Sequence, residues 1–105
     1  MRVSSILAAV VLATAAPLAQ AQKPAADPNL ARNLAATCAN CHGTAGKAAQ
    51  GSSVPGLAGR PREETVRLMN EYRDGKRPAT IMHQLAKGYT PEQVELMAAW
   101  FAAQK

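Results

Sequence analysis

The apolar residues of this chain recur mainly at the three- and four-residue steps of an α-helix, and no stretch alternates between apolar and polar residues as a half-buried strand does. A first helix is predicted after Asp27 and Pro28, which suit the N-cap and the first turn. Leu30, Leu34 and Cys38 then mark its apolar face. This helix is expected to carry Cys38 at its C-terminal end.

A second helix is predicted over about 62–74, with Gly75 suited to end it. Its apolar positions follow one another at three-residue steps: Val66, Met69 and Tyr72. Five glycines and two prolines between 43 and 61 predict an irregular loop before it.

A short helix is expected over about 79–87, because a basic residue followed by Gly88 is typical of a helix C-terminus. The last helix should begin at Thr90, where Pro91 and Gln93 complete the pattern of a capping box. Its apolar stripe contains Val94, Met97 and Phe101, with Leu96 and Trp100 beside it. These patterns together predict an all-α domain of about four helices.

The N-terminal residues are typical of an export signal. Arg2 precedes an apolar run over 3–16, and small residues at 19 and 21 suit a cleavage site. The run is shorter than the roughly 20 apolar residues that a membrane-spanning helix needs. Residues 1–21 are therefore predicted to be a cleaved signal peptide, and 22–105 a single domain without a membrane span.

The domain that remains is small and poor in aromatic side chains. Removing residues 1–21 leaves 84 of 105 residues, and the whole chain has two tyrosines, one tryptophan and one phenylalanine. A core of this size is marginal without additional support. A large apolar cofactor would supply that support.

Residues 38–42, with the sequence Cys-Ala-Asn-Cys-His, form the C-x-x-C-H pattern of c-type haem attachment. Two cysteines at this spacing can reach the two vinyl groups on one edge of a porphyrin, and the adjacent histidine can then bind the iron. We therefore expect one covalently bound haem c. Its thioethers would form at Cys38 and Cys41, and His42 would be the proximal ligand.

Other interpretations of these residues explain less. A thioredoxin-like C-x-x-C site lies within a βαβ pattern, and no strands are predicted here. A structural zinc ion needs four ligands, whereas the chain contains only two cysteines and two histidines, one of which is the distant His83. A disulfide would explain the cysteines but not the adjacent histidine.

The second axial ligand is expected to be a methionine, because His/Met ligation raises the potential of cytochromes c. Met69 and Met97 lie on apolar helical stripes, where core packing is the simpler role. Met82 follows an interruption at 75–78 and lies near a predicted loop–helix junction. It is the preferred distal ligand, with His83 as its competitor.

Residues 53–59 offer support for the proximal ligand. The second ring nitrogen of a metal-bound histidine is usually held by a carbonyl or carboxylate. The carbonyl of Pro55 is placed to hold the imidazole of His42, and Leu57 is expected to pack on the haem.

Four motifs in the chain resemble the class I cytochromes c. Within that class they resemble proteins related to cytochrome c4 and to the haem subunit of flavocytochrome c sulfide dehydrogenase. The motifs are CANCHG at 38–43, SVPGLAG at 53–59, YRDGKRPATIM at 72–82, and AKGYTPEQ at 86–93 leading into AAWFAAQ. The stretch from 72 to 93 looks most like the sulfide dehydrogenase subunit.

This resemblance implies a single-haem class I cytochrome c fold in which the first helix packs against the last. It also implies the same thioethers, the His42 and Met82 ligands, and a Pro55 carbonyl on His42. The function implied is that of a periplasmic bacterial electron carrier, not a catalyst. A flavin-containing sulfide dehydrogenase subunit would supply its electrons, and an oxidase or another cytochrome would accept them. The alternative is a freestanding shuttle that delivers electrons to terminal oxidases or other partners.

Charge adds an expectation about partners. Without Arg2, the chain has 11 of its 12 basic residues against 7 acidic ones. An exported chain without a basic-aromatic motif is a poor candidate for nucleic-acid binding, so the excess indicates either an ordinary solvated surface or attraction to an acidic redox protein. The residues expected to meet such a partner or the haem propionates are Arg60, Arg62, Arg73, Lys76 and Arg77. Raising the ionic strength would then slow the reaction.

Overall fold

A computed structural model describes residues 25–105, so the predicted signal peptide at 1–21 lies outside the described residues. No strand occurs in this part of the chain, and the predicted all-α class is confirmed. Two 3₁₀ turns, Thr44–Gly46 and Ala86–Gly88, accompany the helices. The helices are α1 (Leu30–Ala36), α2 (Ala39–His42), α3 (Arg62–Arg73), α4 (Met82–Leu85) and α5 (Pro91–Ala102). None of these helices is long and apolar enough to cross a membrane.

The first predicted helix, α1, is shorter at both ends than expected. Its N-cap is Asn29 and not Asp27, whose carboxylate accepts the Asn29 N–H at 2.8 Å in a turn before the helix. The helix ends at Ala36 because the hydroxyl of Thr37 donates to the Leu34 carbonyl at 2.7 Å, and the Thr37 N–H donates to the same carbonyl at 3.2 Å. This three-residue bonding tightens the last turn. Cys38 therefore lies beyond α1.

The C-terminus of α3 agrees with its prediction. Gly75 has a φ of +70° and follows the C-cap residue Asp74. The Gly75 N–H donates to Tyr72 at 3.2 Å, and the Lys76 N–H donates to Glu71 at 2.9 Å. These are the two hydrogen bonds of a Schellman motif, which needs a left-handed residue where glycine is best tolerated.

The N-terminus of α5 also forms as predicted. The Thr90 hydroxyl accepts the Gln93 N–H at 3.2 Å, and the Gln93 side chain accepts the Thr90 N–H at 2.9 Å. Pro91 occupies the first turn, where a missing N–H costs nothing. By contrast, the short helix predicted over 79–87 begins only at Met82 and continues as a 3₁₀ turn to Gly88.

The core lies where α1 and α3 pack against α5. Its buried cluster contains Ala35 from α1 and the three residues of the predicted α5 stripe, Val94, Met97 and Phe101. The contact between the first and last helices is the one that the family resemblance implies.

Gly46 brings the irregular segment after α2 against this core. It has a φ of +75°, and a Cβ atom there would lie 2.8 Å from Cδ1 of Phe101 and 2.9 Å from the Ala58 nitrogen. Its carbonyl accepts the N–H groups of Leu57 at 2.7 Å and Ala58 at 3.1 Å. The close approach therefore fixes the position of Gly46 against Phe101, and the two hydrogen bonds fix the position of residues 57–58 beside it.

We expect Gly46→Ala to lower the free energy of unfolding by about 1–3 kcal/mol more than Gly51→Ala, the overpacking cost of a methyl group in a filled core. Gly51 is the matched control, because it has a φ of +77° with nothing within 4 Å of its added Cβ. Both variants therefore carry a similar left-handed backbone cost. Denaturant unfolding measures the difference, and equal losses would contradict the role given to the close approach.

Candidate functional site

A cavity of about 380 Å³ lies between α2, α3, α5 and the chain around α4. Its walls are mainly apolar and include Leu57, Leu68 and Phe101. A larger depression of about 580 Å³ follows the outer face of α3, but charged and polar side chains line it and it contains no cysteine, histidine or methionine. The chemistry predicted from the sequence therefore belongs to the smaller cavity.

The C-x-x-C-H residues reach this cavity from α2. Cys38 is the N-cap of the helix, Cys41 lies one turn later, and the His42 N–H donates to the Cys38 carbonyl at 2.9 Å. Both cysteines line the cavity, and no disulfide joins them. Burial raises the pKa of the Cys38 thiol.

The imidazole of His42 has a fixed orientation. Its Nδ1 lies 2.6 Å from the Pro55 carbonyl oxygen. A carbonyl can only accept a hydrogen bond, so Nδ1 carries a proton, and the lone pair of the neutral ring is on Nε2. The ring thus presents the nitrogen that a metal would need, as histidine ligands held by a carbonyl do.

Three methionines, Met69, Met82 and Met97, line the cavity, and their surroundings distinguish them. Met97 is only 3% exposed within the buried cluster, and Met69 packs against that cluster. Met82 starts α4 and belongs to neither group. His83, the competing ligand, is absent from the cavity lining. Met82 is therefore the cavity methionine that has no core-packing role.

The other predicted pocket residues also border the cavity. Pro55 lines it beside His42, and Leu57 lines it while packing against the buried cluster. Leu57 is placed there by the hydrogen bond from its N–H to the Gly46 carbonyl.

Sequence reasoning missed several polar residues in the cavity wall, among them Thr37, Thr65 and Tyr89. The Tyr89 hydroxyl lies 2.5 Å from Oγ1 of Thr37, across 52 residues of sequence. Thr65 is buried, and its hydroxyl has no hydrogen-bond partner among the described residues. No local pattern marks these positions, because their partners and burial come from distant parts of the chain.

Three of the five residues in the predicted basic cluster form ion pairs with carboxylates of this chain. Arg62 pairs with Glu95 at 2.5 Å, Arg77 with Glu71 at 3.0 Å, and Lys76 approaches Asp74 at 3.8 Å. Of the two others, Arg73 donates to the Tyr89 carbonyl at 3.0 Å and Arg60 to the Gly56 carbonyl at 3.1 Å. Arg60 is the one basic residue of the cluster that lines the cavity.

The donor set fits a covalently attached haem. Two thiols lie one helical turn apart on the wall that also carries an imidazole with a free Nε2. A methionine thioether reaches the same apolar cavity from α4. Histidine with methionine is an axial pair found in cytochromes c.

The sequence matches the family described as cytochrome c over residues 29–104. The chain belongs to the cytochrome c family. Members of this family bind haem c and transfer electrons, and the C-x-x-C-H motif of this cytochrome provides the attachment pattern. The class I assignment made from the motifs is confirmed.

This cytochrome is 36% identical to the cytochrome subunit of sulfide dehydrogenase from Chlorobaculum tepidum over 84 residues, covering 77% of the chain and 74% of the relative. It is 31% identical to the thiosulfate dehydrogenase electron acceptor of Thiomonas intermedia and 32% identical to cytochrome c4 of Pseudomonas aeruginosa. Those matches cover 68% and 77% of the chain but only 33% and 40% of the two relatives.

Glu71 ties α3 to the start of the segment that carries Met82. Its carboxylate accepts hydrogen bonds from Arg67 at 2.6 Å and from Arg77 at 3.0 Å. These two hydrogen bonds lower the pKa of Glu71 below its ordinary value of 4.5. Because the folded pKa is the lower one, the ionised pairs stabilise the fold above 4.5, and this stabilisation is lost as the pH falls through the folded value.

We therefore expect the difference in unfolding free energy between the wild type and Glu71→Gln to be largest at neutral pH and to shrink below pH 4.5. The Glu71 side chain is partly exposed to solvent, so the difference should also shrink at high salt. Glu64→Gln on the same helix is the control, since Glu64 has no ion pair among the described side chains. A Glu71→Gln difference that grows on acidification would contradict this assignment.

Proposed function

We propose that this cytochrome carries one electron at a time on a single covalently bound haem c. Cys38 and Cys41 form the thioethers, His42 is the proximal ligand and Met82 the distal ligand. The observation that carries the proposal is the hydrogen bond between His42 and the Pro55 carbonyl, on a cavity that the two cysteines and Met82 also line.

The chain's own residues account for the requirements of an electron carrier. The bound haem iron supplies the one-electron couple between its ferric and ferrous states. The Pro55 carbonyl holds the His42 ring so that its donor nitrogen is presented without reorganisation. Apolar walls such as Leu57 and Leu68 exclude water and favour the less charged ferrous state. No acid or base catalyst is needed for this role.

Ligand variants test the distal assignment. We expect Met82→Ala to lower the reduction potential, to remove the charge-transfer absorption of methionine-bound ferric haem, and to let carbon monoxide bind the ferrous form rapidly. His83→Ala and Met69→Leu should leave all three properties near those of the wild type. Loss of the native spectrum in His83→Ala with retention in Met82→Ala would assign the ligand to His83 instead.

The electron donor proposed for this cytochrome is a flavoprotein sulfide dehydrogenase in the bacterial periplasm. The support is the 36% identity to a sulfide dehydrogenase cytochrome subunit, which extends over 74% of that relative. The export signal predicted at 1–21 agrees with this compartment. A downstream oxidase or cytochrome would accept the electrons.

A freestanding shuttle is the second candidate. It is favoured by the similarity to a thiosulfate dehydrogenase electron acceptor and to cytochrome c4, whose names identify an electron acceptor and a cytochrome. The two candidates differ in whether the cytochrome forms a stable complex with a flavin subunit.

Affinity purification of the tagged holoprotein from its native periplasm separates these candidates. We expect a flavin-containing subunit to co-purify and sulfide to reduce the haem, as followed by the visible spectrum. The control is the same cytochrome after removal of its partner, and sulfide should reduce its haem slowly. A lone red protein that sulfide reduces no faster than free haem would overturn the sulfide dehydrogenase assignment and favour the shuttle.

A further inference from the structure

The segment between α3 and α5, residues 74–89, forms one wall of the cavity but contributes little to the core. The single α-helix of this segment, α4, has four residues. Ala86 is the one buried residue of the whole segment. Ile81 and Leu85 line the cavity while remaining 54% and 45% exposed. Neither helix length nor core burial therefore explains how this wall, which carries Met82, stays in place.

The start of the segment is tied to α3 by Arg77. Its Nε donates to Glu71 at 3.0 Å, and its guanidinium lies over the Tyr72 ring at 5.9 Å from the centroid. The end of the segment is tied to the same helix by Arg73, which donates to the Tyr89 carbonyl at 3.0 Å in a partly buried position. Charge-assisted hydrogen bonds of this kind are stronger than neutral ones.

The Tyr89 side chain continues this link to the opposite wall. Oγ1 of Thr37 lies 2.7 Å from the Leu34 carbonyl and 2.5 Å from the Tyr89 hydroxyl. A carbonyl has no proton to give, so the single Thr37 proton is donated to Leu34, and the Tyr89 phenol must donate to Thr37. Thr37 directly precedes Cys38. Tyr89 thus connects the end of the distal segment to the residues that carry the cysteines.

We propose that Tyr89 is a positioning residue whose hydrogen bonds with Thr37 and Arg73 hold the distal segment closed and thereby keep Met82 on the haem iron. The inference rests on the proposed function, because it requires Met82 to be the distal ligand. Without the phenol or the arginine, the wall opens more often and Met82 leaves the iron for a larger fraction of the time.

The binding of imidazole to the ferric holoprotein tests the proposal, because imidazole competes with Met82 for the iron. Its apparent affinity depends on the fraction of molecules in which Met82 has left. A typical hydrogen bond changes such an equilibrium roughly 2- to 10-fold. We expect Tyr89→Phe and Thr37→Val each to tighten imidazole binding by about that factor, and the double variant by no more than either alone.

Conservative variants separate positioning from general stability. Thr37→Ser retains the hydroxyl and should bind imidazole as the wild type does. Arg73→Met should tighten binding, whereas Arg62→Met, which removes an arginine from the same helix and its pair with Glu95, should not. Imidazole affinity equal to that of the wild type in either Tyr89→Phe or Arg73→Met would overturn the proposal.

A Met82→Ala background distinguishes a failure of this inference from a failure of the proposed function. In that background imidazole should bind tightly, and adding Tyr89→Phe should change its affinity no further. If Met82→Ala alone leaves imidazole binding unchanged, Met82 is not the distal ligand, and the proposed ligand set and this inference are both wrong. If Met82→Ala tightens binding while Tyr89→Phe in the wild-type background does not, only the inference is wrong.

Discussion

The close approach of Gly46 to Phe101 is the constraint on which the proximal side of the cavity depends. A side chain at Gly46 would overlap Phe101, and its carbonyl receives the N–H groups of Leu57 and Ala58. The chain is thereby turned back so that the Pro55 carbonyl meets His42 at 2.6 Å. The Gly59 N–H donates to the Phe101 carbonyl at 2.9 Å and attaches the same segment to α5. An irregular segment thus acquires a fixed position from backbone hydrogen bonds and one missing Cβ.

The distal side is held by different interactions. Its ties to the remainder of the fold include two arginine side chains and a phenol, with little buried apolar surface. Backbone bonds at a buried glycine leave little freedom, whereas side-chain bonds at a partly exposed surface can open separately from the core. The histidine side of the cavity is therefore held by backbone hydrogen bonds at a buried glycine, and the side that carries Met82 by a few polar side-chain contacts. Ion pairing also reduces the basic charge available to a partner, since Arg62 and Arg77 face carboxylates.

The sequence predicted the elements whose signals are local. The capping box at Thr90 and the glycine at 75 set the start of α5 and the end of α3, because both motifs are completed within a few residues. The first helix was predicted too long for a related reason. Periodicity extended the apolar face to Cys38, but Thr37 bonds back to Leu34 and also accepts a hydrogen bond from Tyr89, 52 residues away. The start of α4 at Met82 was likewise not visible in the pattern around Pro78.

By itself, the sequence determined the all-α class, the attachment motif and the cytochrome c family. Helical periods, caps and the C-x-x-C-H spacing each involve residues that are close together in sequence. The sequence named Met82 as a candidate ligand and Pro55 as a candidate partner of His42, but it could not show that the chain places all three at one cavity. The tertiary structure alone decided that His83 is outside the cavity lining and that Tyr89 meets Thr37. These outcomes depend on contacts between residues far apart in sequence, and the packing of α1 and α3 on α5 creates them only when the whole domain has formed.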